Sequence, residues 1–499
     1  MSNKYKIWAI SLATTVATGC TGSFEEINTD PDAYSKVPYT NMLADVLRRT
    51  ADQYGGDLDI AQWAGYVSEV QYLNNYGGYI PSNNTYGNRW YQTYWGHTQL
   101  QDILDQTEDK ADGNKNMRNV CTIMQNYLIL MCTDCFGDIP YSQAFKGAPE
   151  AGGILKASYD AQSDIYPQIL SNLKSVADSW AEGLGSDALG EGDFLYKGNV
   201  ERWQKFCNSL RLRVAMRISG VYPASQGVVE EILSNPTRYP YITECEDNAY
   251  FWWQGSGDYF ERYYSNFRTR DDDGMAEIFI DHLKKMEDPR LAVVAKPAKN
   301  DGEYRGFENG AAAAPASIHD ISRMGVKYRE DPAGFSPFYR ACENYFIMAE
   351  AALKGWNVPM TAADAYEQAV RLSMEDNDLD AAAADAYLAG KGKWDGTSDR
   401  LYFEWWVALF KQNIEAWSLY RRTGYPTYIH TAKAADGVTP QYPGARSTYK
   451  GIHNDVPFRF PYPQNEYLYN EANVTAAAAG IQDYVWGKQM WWDTRTGVN

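Results

Sequence analysis

Four separated stretches of this 499-residue chain place apolar side chains at steps of three and four. Val120, Ile123, Met124, Tyr127, Leu128 and Met131 form the first stripe. Trp203, Phe206, Leu210 and Val214 form the second, with Arg211, Arg213 and Arg217 mainly off that face. Tyr345, Met348, Ala349 and Ala352 form the third. Tyr402, Trp405, Trp406, Leu409 and Phe410 form the fourth, and Trp417 continues it. Steps of three and four put residues on one side of an α-helix, so each stretch predicts a helix with one buried face. Ala349 and Ala352 are small enough to let a second helix approach closely. Pro140, Pro149, Pro167, Pro289 and Pro426 punctuate the pattern.

Between the helical stretches lie long segments without helical period: 71–96, 247–275, 296–340 and 425–470. Loops of this length in a compact protein are either functional or disordered. These are rich in Tyr and Trp, which argues for order. The whole chain holds 39 Tyr and 16 Trp, so Tyr alone nearly matches the 46 Lys plus Arg. Such rings join a flat apolar face to a polar handle, which suits sugar rings and wet interfaces as well as cores. The expected fold is all-α: a scaffold of helix pairs, TPR-like but without a clean 34-residue repeat, carrying long irregular aromatic loops.

The chain starts with Lys4 and Lys6, then an apolar or small run from Ile7 to Ala17, then Thr18-Gly19-Cys20. Charge, apolar core and small residues in that order describe a secretory signal. Cysteine at the cut site makes it resemble a bacterial lipoprotein signal, with Cys20 as the lipidated first mature residue. Ala17 stands where such signals usually carry Leu, Val or Ile. An ordinary signal cut elsewhere and an apolar cytosolic start are the alternatives. The run is too short to span a bilayer as a stable helix. The expected organisation is 1–19 signal peptide, 20–38 lipidated tether and 39–499 one helical domain, held at a membrane through lipid alone.

A net charge of −18 speaks against nucleic acid, whose phosphates need clustered Lys and Arg. There is no G-x-S-x-G elbow, no phosphate-binding GxxxxGK[ST] loop, no HExxH and no GxGxxG. No Cys/His group has zinc spacing, and no cofactor or metal is expected. Cys132 and Cys135 have redox-motif spacing but sit late in a helical stripe after no strand, which reads as structural. Asp271-Asp-Asp-Gly274 lacks the spacing of a calcium loop and reads as a solvated turn or loop cap.

Several strings together resemble the SusD/RagB family, in its SusD-like branch. They are Phe24-Glu-Glu-Ile-Asn-Thr-Asp-Pro31, Phe136-Gly-Asp-Ile-Pro-Tyr-Ser-Gln-Ala144 and Trp203 through Arg217. Asp288-Pro-Arg290, Glu343 with Ala349-Glu-Ala351, and Glu415-Ala-Trp417 leading to Arg421-Arg-Thr-Gly-Tyr-Pro426 follow in order. Arg459-Phe-Pro-Tyr-Pro463 with Glu466 and Asn470, then Trp491-Trp-Asp493, close the pattern. The resemblance implies a helical fold with four TPR-like units and a less regular face. It implies an outer-membrane lipoprotein facing the cell exterior, to which Ser23-Phe-Glu-Glu26 adds an acidic surface signal. It implies a partner, a SusC-type TonB-dependent barrel, and a non-catalytic role: capture of a nutrient oligosaccharide and delivery to that barrel. A peptide-capturing lid of the same architecture is the alternative, and a surface glycoside hydrolase a remote one. The motifs themselves read as scaffold.

No family motif marks the ligand site, so the candidates rest on loop composition. The first cluster is Gln71, Tyr72, Asn74, Asn75, Tyr76 and Tyr79. The second runs from Tyr250 to Tyr263, with Trp252, Trp253, Tyr259, Arg262 and Tyr263 as the candidate contacts. Amides bond sugar hydroxyls while rings stack on sugar faces, and ligand sites favour concave aromatic surfaces with a few polar groups. Loop packing and contact with the barrel are the competing uses.

Overall fold

In a computed structural model, residues 38–55, 57–73, 82–311, 313–427, 455–481 and 488–498 are described. The fold is mainly helical, as expected. Its scaffold helices, named here in chain order, are α1 (Tyr39–Gly55), α2 (Leu58–Trp63), α3 (Asn83–Gln106), α4 (Lys115–Phe136), α5 (Gln162–Ala181), α6 (Val200–Arg217), α7 (Ala341–Leu353), α8 (Ala362–Glu375), α9 (Ser398–Ala408) and α10 (Asn413–Thr423). Neighbours in sequence pack as pairs: α3 on α4, α5 on α6, α7 on α8 and α9 on α10. The pairs are joined by further contacts of α4 with α5, α6 with α7 and α7 with α9. Apolar side chains from Met42 to Trp492 form one connected core.

Two stretches depart from the expected loops. Residues 83–96 belong to α3, and the face carrying Tyr86, Trp90, Thr93 and Gly96 is buried. A Cβ on Gly96 would come within 2.9 Å of the Leu128 side chain, so glycine there lets α3 and α4 approach. The acidic run Asp271–Gly274 is not a turn throughout, since its last two residues enter a strand. Asp273–Met275 (β3) pairs antiparallel with Val67–Glu69 (β1). A second two-stranded sheet joins Ala249–Trp252 (β2) to Phe335–Tyr339 (β4). The expected continuation of the fourth stripe into Trp417 also fails. α9 stops at Ala408, the chain turns through Lys411 at φ +76°, and Trp417 lies in a separate helix.

The arginines expected off the apolar face of α6 are buried. Arg213 grips Glu343 of α7 with Nε–Oε1 at 2.6 Å and Nη2–Oε2 at 3.0 Å. Arg217 joins Asp134 of α4 to Glu415 of α10. Tyr166 donates to Asp134, and Trp492 donates in turn to the Tyr166 hydroxyl at 2.6 Å. Burial pushes the Asp134 and Glu343 carboxyls up, and the facing arginines pull them back only in part. Arg290 repeats the device with Asp288 at 2.6 Å and Glu404 at 2.5 Å. Arg422 forks onto Glu350 at 2.6 and 2.7 Å. Removing one member of such a pair strands a buried charge, which holds the set together more firmly than the net strength of any one pair. Cys132 and Cys135 are buried at the end of α4, and burial pushes the Cys135 thiol up to about 12.

Candidate functional site: an aromatic shelf and an acidic cavity along one helix

Helix α1 buries Met42, Leu43, Val46, Leu47, Thr50, Ala51 and Tyr54, a stripe at steps of three and four. It packs on the β2–β4 sheet and on α3. Its opposite face carries Asn41, Asp45, Arg48, Asp52 and Gln53, and two cavities lie along that face.

The first cavity, about 270 Å³, is aromatic. Strand β2 explains half of it. Successive side chains on a strand point to opposite faces. Trp252 is 53% exposed, whereas Trp253 is 6% exposed and donates from Nε1 to Ser336 Oγ at 3.0 Å. Tyr250, in step with Trp252, stacks on Phe335 at 4.5 Å, and Trp252 leans on the same ring at 5.4 Å. Phe251 meets Phe194 edge-on at 6.0 Å and Trp253 at 5.1 Å. The turn after the strand brings Tyr259 to the rim, 45% exposed, with the Arg48 guanidinium 5.9 Å above its ring. Gly255 makes that turn at φ +70°, where a Cβ would also strike the Ala333 backbone at 2.8 Å. Asn41, Gln254 and the Asp45–Arg48 pair (2.7 Å) supply polar groups beside the rings.

The second cavity, about 460 Å³, is acidic. Its wall holds Asp52, Asp57, Asp59, Glu69, Asp272 and Asp273, against Arg89, Arg262 and Arg270. Asp57 caps α2 by accepting from Ile60 N at 3.1 Å and pairs with Arg89, both of them buried. Arg270 holds Asp272 at 2.6 Å, and Arg262 faces Asp52 at 3.8 Å. Glu69 and Asp273 are register partners across β1 and β3. Burial, with Glu69 and Asp272 adding to it, pushes the Asp273 carboxyl up to about 7. Asp271 turns away onto Arg323 and Arg329. Among the described residues, no group of three or more His, Cys, Asp or Glu is arranged to hold a metal ion.

The candidates of the sequence divide between these places. Trp252, Trp253 and Tyr259 meet at the aromatic cavity, while Tyr72 and Arg262 line the acidic one. The Arg270 guanidinium sits 5.1 Å over the Tyr72 ring. Gln71 is exposed but lines neither cavity. Tyr263 is 1% exposed, takes a hydrogen bond from Asn413 Nδ2 at 2.8 Å and packs in the core. Asn74, Asn75, Tyr76, Tyr79 and Cys20 lie outside the described residues. Phe194 and the polar face of α1 were missed. The outer face of an amphipathic helix reads as ordinary solvent contact, and only the fold shows what stands across from it.

A family model described as "Starch-binding associating with outer membrane" (SusD-like) matches residues 31–449. The chain belongs to the SusD-like family. Solved SusD-like structures share its fold. A SusD homolog from Bacteroides uniformis superposes with a TM-score of 0.77 at 24% identity, covering 92% of this chain and 100% of its own. A chitin-binding SusD homolog from Flavobacterium johnsoniae gives 0.75 at 24%, covering 92% and 98%. A SusD-like protein from Bacteroides thetaiotaomicron gives 0.74 at 22%, covering 93% and 100%. No curated relative matches the chain by sequence. Several of the SusD-like motifs seen in the sequence supply the buried pairs described above: Asp288 with Arg290, Arg213 with Glu343, and Glu415 with Arg217, while Phe24–Pro31 lies outside the described residues. No helix among the described residues is long and apolar enough to cross a membrane.

Proposed function

We propose that this SusD-like protein captures a nutrient glycan on the aromatic shelf of Trp252, Tyr259 and Phe194, without catalysis, and passes it to a SusC-type TonB-dependent barrel. The observation that carries the reading is the shelf itself. Three large rings stand partly exposed around a concave surface, beside amides and an ion pair that can bond hydroxyls. Its setting supports the reading: the family is described as starch-binding and outer-membrane-associated, and one similar structure is of a chitin-binding homolog. Residues 1–19 are a cleaved leader in this scheme, 20–38 a tether lipidated at Cys20, and 39–499 one body facing the cell exterior. Tyr72, from the amide and tyrosine cluster of the sequence, adds a contact at the neighbouring cavity.

The test is binding of the purified chain to a broad panel of oligosaccharides by calorimetry or affinity electrophoresis, with Trp252→Ala alongside. Saturable binding that the variant weakens about tenfold, with an unchanged melting temperature, is the expected result; tenfold corresponds to about 1.4 kcal/mol. Retention of a peptide pool and of no glycan would transfer the role to peptides. Release of new reducing ends would refute the non-catalytic assignment.

A further inference from the structure

The aromatic shelf carries a charge that ring stacking does not use. Among the described residues, Asp45 and Arg48 are the only charged ones that line it. Both oxygens of Asp45 are taken. Oδ1 accepts from Arg48 Nη2 at 2.7 Å and Nε at 3.3 Å, and Oδ2 accepts from Arg49 Nε at 2.9 Å. One carboxylate thus serves two guanidinium groups, a local excess of one positive charge in a chain of net charge −18. The Arg49 guanidinium packs 4.4 Å over the Trp95 ring and lines neither cavity. Arg48 faces the shelf: its side chain is 28% exposed and stands 5.9 Å from the centre of the Tyr259 ring. Its Nε and Nη2 form one fork, which Asp45 fills. Its second fork, Nη1 with the outer hydrogen of Nη2, meets no acceptor among the described residues. Glu191 and Asp258, exposed next to the shelf in sequence, line no part of it.

A free guanidinium fork has a preferred partner. A carboxylate takes two parallel N–H···O bonds from it, and such charge-assisted bonds are roughly twice as strong as those between neutral groups. A hydroxyl accepts from the same donors but brings no charge to meet the excess. In a uronic acid the carboxylate stands on C5, at the edge of the pyranose, and leaves the ring faces free to stack. A sugar stacked on Trp252 or Tyr259 can therefore turn that edge to Arg48 inside one cavity of about 270 Å³. The next turn of α1 limits the number of acids. Asp52, four residues beyond Arg48, lines the acidic cavity, where six carboxylates face three guanidinium groups. Four residues advance about 6 Å along a helix, which is inside the Debye length of about 8 Å at physiological salt. A polyuronate lying along α1 would set further carboxylates against that wall. The favoured ligand carries one acid among neutral sugars.

We propose that Arg48 makes the shelf selective for a glycan bearing a single uronic acid, whose carboxylate it grips while the pyranose stacks on Trp252 or Tyr259. This names a substrate class for the glycan-capture reading above and rests on it. The experiment is calorimetry on the full chain, near neutral pH, at low and high salt. The probes are neutral xylo-, gluco- and galacto-oligosaccharides carrying one glucuronate or galacturonate, each beside its methyl ester, which removes the charge and keeps the sugar. Galacturonate hexamer and hexaglutamate complete the set. At least one single-acid probe is expected to bind about tenfold tighter than its ester at low salt, with the advantage shrinking in high salt. Arg48→Gln is expected to bring that acid and its ester to equal affinity, and Arg48→Lys to keep part of the gap. The comparison of acid with ester on the parent chain needs no variant to fold. If no acid is preferred to its ester, the selectivity is overturned, and glycan capture stands wherever the esters or the wider panel bind. A gap that survives Arg48→Gln overturns the role of Arg48. Tighter binding of galacturonate hexamer than of every single-acid probe overturns the limit to one acid. Hexaglutamate binding as tightly as the acids overturns the saccharide class. Failure of every sugar in this set and in the wider panel overturns both readings.

Discussion

Lys411 and Glu261 hold the turn behind the aromatic shelf, and their pair can be broken one charge at a time. Both side chains are buried, at 0% and 1% exposure, with Nζ and Oε1 2.9 Å apart. The contact is close enough for strong attraction, although its angle is off that of an aligned hydrogen bond. Glu261 also caps the helix Arg262–Phe267 by accepting from Tyr264 N at 2.7 Å. Lys411 lies among rings, 4.7 Å from the centre of Phe335 and 5.1 Å from Tyr263. Burial pulls the Lys411 ammonium below its ordinary range, and Glu261 only partly restores it. Lys411→Met keeps the volume and leaves one buried carboxylate without its cation. The expected cost at neutral pH is about 3–5 kcal/mol in urea unfolding. Combining Lys411→Met with Glu261→Gln removes both charges and is expected to recover most of that loss. A Lys411→Met variant within about 1 kcal/mol of the parent at neutral pH would refute the reasoning. So would a double variant no better than the single.

Three further outcomes are expected. Asp273 is protonated more readily in the folded state, so it removes stability as pH rises from the ordinary carboxylate range through about 7; Asp273→Asn is expected to gain on the order of 1 kcal/mol above that pH and nothing below about pH 4, read by urea melts at both. Trp253→Ala, unlike Trp252→Ala, deletes a buried indole and its bond to Ser336, and is expected to lower stability by about 3–5 kcal/mol in the same assay. Cys20→Ala removes the proposed lipid anchor, so cell fractionation and surface labelling are expected to find the variant released; a variant retained at the surface in full amount would sink the anchor.

Periodicity revealed the scaffold and hid its glue. The stripe from Val120 to Met131 lies within α4, and that from Trp203 to Val214 lies within α6. The same stripe placed Arg213 and Arg217 outside, because period alone counts an arginine as polar. Their partners Glu343 and Glu415 lie 130 and 198 residues away in sequence, and no local pattern encodes that meeting. Helix α3 escaped for a different reason. Its Tyr, Trp, Asn and Gly content resembles a loop, and the value of Gly96 emerges only when Leu128 arrives against it.

The candidate site was half legible, and the division has a physical cause. Composition finds regions rich in rings but gives every ring in them the same standing. Trp252 and Trp253 are adjacent and chemically identical, yet strand alternation sends one into solvent and the other onto Ser336. Tyr259 and Tyr263 are separated by one helical turn's worth of chain, and the cap at Glu261 between them buries the second against Lys411. The acidic cavity was less legible still. Asp52, Asp57, Glu69 and Asp273 come from two helical segments and two strands, and each is ordinary where it stands in sequence. Their meaning is collective: a negative wall one helical turn beyond an aromatic shelf, on the face of α1 that sequence alone assigns to water. If that face is where a saccharide lies, its selectivity would reside in residues that bear no motif, while Arg213, Arg217 and Arg290 stay locked in buried pairs. Relatives could then change glycans by substituting along α1 and β3 without disturbing Arg213, Arg217 or Arg290.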